Sequence, residues 1–330
     1  MITTSRREEI RMTESTPRPS SLIQTVYGEF VRRLGGWISI ADLIALMAEL
    51  DVDAPAVRSA ISRLKKAGTL LQERRPGDGV GTGTGYRLSP AMEPVFDEGD
   101  RRIFRSLAPA ELADGWVVAV FSVPESARAH RHTLRSRLSW LGFGNAAPGV
   151  WLAPARVLPD ARRLLERHGL DAYVHLFLSA EYAGFTDLRT AVAAWWDFPA
   201  IEAQYAAFTD AWQPTLAALC PRTDDGRDID DRDNDSRSDN AGRSDSDTDI
   251  DRDIEPAAAF RAYVPMLTQW RRLPYLDPGL PAPLLPADWN AVAARAVFTG
   301  LHARLAGPSL RHVEKVTGPA TAAHHRQEPR

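Results

Sequence analysis

Six side chains between Arg58 and Lys66 combine two chemistries that double-helical nucleic acid demands of a protein. These are cations for phosphate oxygens and short hydrogen-bonding groups for base edges. At helical spacing Arg58, Ser59, Ser62, Arg63 and Lys66 share one face, with Lys65 at its edge. A guanidinium can grip guanine with two parallel hydrogen bonds, and a serine hydroxyl can meet either partner of a base pair. Arg58, Ser59, Ser62 and Arg63 are therefore expected at or near bases. Lys65, Lys66 and, further on, Arg74, Arg75 and Arg87 are expected at phosphates. The opposite face carries Val57, Ile61, Leu64 and Gly68, flanked by Ala60, and needs a core to cover it. A charged outer face also suits a helix that meets only water, so the surrounding elements must decide between the two readings.

Those elements support a DNA-reading unit. Asp53 is a suitable N-cap, Pro55 falls in the first turn, and Gly68 can end the helix. TLLQERR, a Gly-rich stretch and GYRLSP then have the form of a hairpin, or wing. Gly81, Gly83 and Gly85 are assigned to its turn as flexible residues, because no helix follows them to make a phosphate cradle. Residues 54–90 hold seven Lys/Arg against two Asp/Glu. Upstream, SLIQTVYGEFVRRLGG places Leu22, Ile23, Val26, Phe30 and Leu34 on one helical face. ISIADLIALMAEL, capped by Ser39, turns Leu43, Leu46, Met47 and Leu50 inward. Three helices and a hairpin predict a winged helix-turn-helix over residues 21–90.

The 330 residues suit two or three domains, and an apolar fraction of 44% is enough to build their cores. No run of apolar residues is long enough to span a bilayer. The opening stretch lacks the apolar centre of a secretory leader, and Met1 and Met12 are both candidate starts. The single Cys220 excludes an intrachain disulfide framework, and a cytoplasmic location is expected. The formal charge of −3 conceals two populations. Residues 224–255 hold fourteen Asp/Glu and five Arg; without them, 35 Lys/Arg face 29 Asp/Glu. That run has too few apolar residues to order itself, and its spacing does not meet the requirements of a calcium loop. Residues 222–255 are expected to be a disordered acidic insertion, and 1–20 and 315–330 disordered tails.

In the middle of the chain, WVVAVFSV reads as a buried strand and PESARAHRHTLRSRLSWLGFG as a helix. PGVWLAP, LPDARRLLERHG and DAYVHLFLSAEY continue as strand, helix and strand. This order predicts a ferredoxin-like α/β sandwich over residues 91–185, with room for an unplaced fourth strand near 143–147. Arg128, Arg131 and Arg135 form one stripe on the first helix, suited to a solvated face or to an anion site for phosphates. His130, His132, His168 and His175 have no spacing that suits a shared metal. Residues 186–221 and 256–314 predict helices rich in tryptophan. Trp195, Trp196, Trp212, Trp270 and Trp289 suit a core, a ligand pocket or a dimer surface. The overall class is α+β, with no cofactor, catalytic group or metal site expected.

The ordered segments VRSAISRLKKAG, GYRLSP…FDEGDRRIFR, GWVVAVFSVPESARAHRHTLRSRLSWLGFG and LPYLDPGLPAPLLPADW together resemble the PaaX family of transcriptional repressors, named for control of phenylacetic acid degradation. The resemblance runs from about Ser21 to Lys315, interrupted by the acidic run. It implies a homodimer on an inverted-repeat DNA operator, made of a winged helix, a ferredoxin-like domain and a helical C-terminal domain. It also implies release by an aryl-acyl-CoA, phenylacetyl-CoA in the name-giving members. Arg128, Arg131 and Arg135 with Trp195 and Trp196 are the candidate effector residues. The acidic insertion and the N-terminal extension depart from the family pattern.

Two other readings stand beside this one. The middle domain also resembles the CRISPR-associated ferredoxin-like nucleases, whose metal-binding Asp follows the first strand. Ser122 occupies that place here, and a hydroxyl is a poor substitute for a carboxylate on Mg²⁺; Glu125 is the nearby carboxylate. The other reading is an architectural DNA-binding protein without an effector.

Overall fold

Helix α1 (Pro19–Val26) starts two residues before the expected boundary at 21, because Pro19 has the backbone angle of a first turn and has no N–H to leave unpaired. The computed structural model describes residues 17–76, 82–104, 110–179, 181–220 and 254–318. Residues 1–16 and 319–330, most of the acidic run and the hairpin tip with Gly81 lie outside that set. A π-helical turn (Tyr27–Val31) continues α1, and strand β1 (Trp37–Ser39) follows. The Ser39 hydroxyl caps α2 (Ile40–Ala48) by accepting the Asp42 N–H at 3.0 Å. Helix α3 spans Ala54–Lys66, and strands β2 (Leu70–Pro76) and β3 (Thr82–Leu88) form the expected hairpin.

The three strands make an antiparallel sheet in the order β1-β3-β2. Its register puts Ile38, Leu70 and Leu88 on one face, and all three are buried. Leu22, Ile23, Val26, Leu43, Leu46, Met47, Val57, Ile61 and Leu64 are buried as well. α3 thus presses its apolar face against α1, α2 and β2, each such side chain contributing roughly 1.5–3 kcal/mol. The Tyr27 hydroxyl donates to the Tyr86 carbonyl at 3.1 Å and ties the π-helical turn to β3.

After α4 (Glu93–Phe104) comes the second sheet. β4 (Trp116–Phe121), α5 (Arg128–Trp140), β5 (Gly144–Ala147), β6 (Val150–Pro154), α6 (Leu158–Arg167) and β7 (Val174–Ser179) alternate as β-α-β-β-α-β. The sheet order β5-β6-β4-β7, antiparallel throughout, is ferredoxin-like. β5 supplies the strand that the sequence left unplaced. It is short, interrupted by a bulge between Asn145 and Ala147, and GNAA carries no alternation to reveal it. Val117, Ala119, Trp151 and Ala153 pack with Leu138 and Leu141 near α5 and Leu164 of α6. Trp116 and Leu152, on the other sheet face, pack with Val192, Trp196, Phe198, Leu280 and Leu284.

Helices α7 (Leu188–Trp195) and α8 (Phe198–Leu219) are separated at Trp196–Asp197, next to the break expected near Phe198–Pro199; α9 (Pro256–Trp270), α10 (Leu273–Leu276) and α11 (Ala291–Thr317) follow. Glu255 caps α9 by accepting the Ala257 and Ala258 N–H groups at 2.9 and 2.6 Å, so the end of the acidic run is a helix cap and not disordered. Likewise Lys315–Thr317 belong to α11, not to a tail. Among the described residues no helix is long and apolar enough to cross a membrane.

The chain forms two units. One joins Pro90–Phe208 with Thr268–Ala294; the other joins the described residues of Pro17–Ser89, Thr209–Leu267 and Arg295–Arg330. The helical C-terminal region is therefore no separate body, in contrast to the expected 186–221 and 256–314 domain. Part of it covers the second face of the ferredoxin-like sheet. The rest packs near α1, with Phe30 lying 6.0 Å from Phe260 and 6.2 Å from Tyr263 between ring centres. In the first unit α10 is pinned by Arg102, which donates to the Pro274 carbonyl at 3.0 Å, and the Pro-rich stretch after it by Arg156, which donates to the Gly279 carbonyl at 2.7 Å. The Tyr205 hydroxyl donates to the Asp277 carboxylate at 2.8 Å. DEGDRRIFR and LPYLDPGLP are thus two halves of one packing arrangement.

Candidate nucleic-acid interface

α3 is fixed at both ends. The Asp53 carboxylate accepts the Ala56 N–H at 2.7 Å, and Gly68, at φ 71°, reverses the chain where a side chain would be strained. Val57, Ala60, Ile61 and Leu64 are buried, so the helix cannot rotate about its axis. Arg58, Ser59, Ser62, Arg63, Lys65 and Lys66 are all exposed. Arg63 donates to the Ser59 hydroxyl at 3.2 Å, so these two side chains present themselves as a pair. Lys65 donates to the Gln72 side chain at 2.8 Å and lies 5.6 Å from the centre of the Tyr86 ring, which fastens the helix end to the wing. The side chains of Arg58, Ser62, Lys66 and Arg74 have no hydrogen bond or ion pair to a described residue.

The wing cations divide by sheet face. Arg74 is exposed on the face that also carries Leu70 and Gln72. Arg75 and Arg87 share the outer face with Trp37, Glu73, Gly83 and Gly85. There the Glu73 carboxylate receives Arg75 Nε at 2.6 Å and Arg87 Nε at 3.1 Å. Arg75 also stacks 5.1 Å from the centre of the Trp37 ring, whose indole N–H donates to the Glu73 carbonyl at 3.3 Å. Gly83 and Gly85 lie within β3, not in the flexible turn expected for them. At Gly85 a Cβ would stand 2.4 Å from the Ile38 carbonyl oxygen and from the Trp37 ring, so the close approach requires glycine. Trp37 and Glu73 were not singled out in the sequence. The signal available was the two-residue period of GTGTG, which marks a strand with one bare face.

The candidate effector residues do not meet within the ferredoxin-like unit. Arg128 and Arg135 are exposed on α5, while Arg131 donates to the Val123 carbonyl at 2.8 Å and faces Glu125 at 3.1 Å. Trp195 and Trp196 pack on the other side of the sheet around Trp116. Trp196 is buried, and its indole N–H donates to the Gly142 carbonyl at 2.9 Å. Ser122 is exposed at the end of β4.

With this geometry in view, family models match three successive stretches. They are PaaX-like protein over residues 18–92, PaaX protein central Cas2-like domain over 109–192, and PaaX-like protein C-terminal domain over 240–315. The chain belongs to the PaaX family. The transcriptional repressor PaaX of Escherichia coli (strain K12) is a relative, 26% identical over 303 residues, covering 90% of this chain and 83% of its own length. The uncharacterized protein Rv0674 from Mycobacterium tuberculosis is a similar solved structure, at 21% identity and a TM-score of 0.46, covering 93% of this chain and 99% of that one. In PaaX terms, the exposed cations of α3 fall in the first matched stretch and the arginine stripe of α5 in the second.

Proposed function

We propose that this protein is a DNA-binding transcriptional repressor that reads its operator through a winged helix-turn-helix. The observation that carries the reading is α3, whose six predicted polar and cationic contact residues are all exposed while its apolar face is locked in a core. The relationship to a protein named as a transcriptional repressor supports the same reading. In it, Arg58, Ser59, Ser62 and Arg63 enter a major groove, while Lys65, Lys66, Arg74, Arg75 and Arg87 hold phosphates. Two copies related by a two-fold axis would read an inverted repeat, with half-sites about one helical turn apart or a multiple of it.

The regulated genes belong, on this reading, to aromatic-compound catabolism, and an aryl-acyl-CoA releases the operator. A ligand does so only by binding the non-DNA state more tightly. The exposed Arg128 and Arg135 of α5 suit its phosphates, whereas Trp195 and Trp196 pack on the other face of the sheet and do not form one site with them. Footprinting on the protein's own upstream DNA, with and without phenylacetyl-CoA, tests binding, symmetry and release together. A symmetric footprint lost on adding the thioester is expected. A footprint indifferent to a panel of acyl-CoAs, none of which raises the melting temperature, would favour an architectural DNA-binding protein.

A further inference from the structure

We propose that Glu73 is a positioning residue that holds down the wing's affinity for duplex of arbitrary sequence. The proposal rests on the DNA-binding reading above. Among the described residues Glu73 is the acid beside the cations of the outer wing face, and one carboxylate serves two of them, Arg75 at 2.6 Å and Arg87 at 3.1 Å. Both contacts use Nε, the inner nitrogen. Among the described residues the outer nitrogens of the two guanidinium groups have no further hydrogen bond or ion pair, so they stay available to a phosphate while Glu73 and the Trp37 ring fix their direction. The neighbouring positions on β3 are Gly83 and Gly85, and their lack of side chains leaves room for the Trp37 ring against which Arg75 stacks. A phosphate that approaches this face from an arbitrary register meets the carboxylate together with the arginines. A phosphate placed by the base contacts of α3 meets the outer nitrogens where they already point. The carboxylate therefore penalises unregistered binding more than registered binding, and a repulsive group of this kind raises specificity at the expense of raw affinity.

The test is Glu73→Gln, which keeps the shape of the side chain and removes its charge. At about 0.15 M salt the affinity for random duplex should rise roughly three- to tenfold, and its dependence on log salt should steepen by about one unit, the signature of one more phosphate neutralised. The ratio of operator to random affinity should fall while the melting temperature stays unchanged. In a background already carrying Arg75→Ala and Arg87→Ala, the same substitution should leave the salt slope unaltered. An unchanged slope and ratio in Glu73→Gln, or the same change without the two arginines, overturns the proposal. If the unmodified protein binds random duplex but prefers no site, the repressor reading fails, and the slope still decides the role of Glu73.

Discussion

At the scale of single residues, exposure and partners sort the cations of the first sheet and its helices into different roles. Arg63, joined to Ser59, is placed for a directional contact. Arg63→Ala should relax base preference at one position of the site, with a loss of about 1–3 kcal/mol in competition binding, if it grips guanine with two hydrogen bonds. Lys66 has no described partner, so Lys66→Ala should weaken all sequences alike and flatten the salt slope by roughly one unit; an unchanged slope would remove it from the phosphate contacts. A second residue-scale effect concerns His302, whose Nδ1 lies 2.7 Å from the Tyr263 hydroxyl. Burial first, and Arg33 second, hold its imidazole below the ordinary value of 6.5. The unfolded chain therefore takes up this proton before the folded one does. The resulting stability is present above about pH 6.5 and is lost as the pH falls towards the lower folded value. Between about pH 7.5 and about pH 5.5 the melting temperature should fall more steeply in the native protein than in His302→Gln. Parallel curves would show that His302 is not the group responsible.

At the scale of elements, the wing is built by a ring lying on a bare strand. Gly85→Ala would force a Cβ against backbone as well as against Trp37, since the Ile38 carbonyl oxygen stands at 2.4 Å. Overpacking of this kind costs about 1–3 kcal/mol and should displace the wing, lowering both the melting temperature and DNA affinity. Gly83→Ala meets its nearest atoms at 3.9 Å and should be close to neutral in both measurements. If the two substitutions behaved alike, the Trp37 packing described here would be wrong. α3 was legible in the sequence because its cap, its apolar stripe and its terminating glycine are all local signals within Asp53–Gly68. The ferredoxin-like helices and three of their four strands were legible for the same reason. β1 and β5 were not, because three and four residues carry almost no period; β1 exists through pairing with the distant β3, and the pairing of β5 with neighbouring β6 is broken by a bulge. The Glu73 bridge to Arg75 and Arg87 was equally hidden. It depends on which residues share a face across the hairpin, and hence on a register that the Gly-rich stretch does not fix.

At the scale of the whole molecule, the order of parts could be read directly, but their grouping could not. The C-terminal helices have the composition of a domain, yet their apolar residues are divided. Trp196, Leu280 and Leu284 cover the second face of the ferredoxin-like sheet, while Phe260 and Tyr263 pack on Phe30. Periodicity shows that a face is buried and cannot show against what. The same limit applies to the candidate effector residues, whose arginine stripe and tryptophans lie on opposite faces of one sheet. The proposed reading of duplex DNA by α3 is tested by equilibrium competition between the protein's own upstream duplex and random duplex at about 0.15 M salt. A preference of about a thousandfold or more for the upstream duplex, abolished when Arg58, Ser62 and Arg63 are replaced together by Ala in a protein of unchanged melting temperature, is the predicted result. Equal affinity for the two duplexes, or a preference that survives the triple replacement, would contradict it.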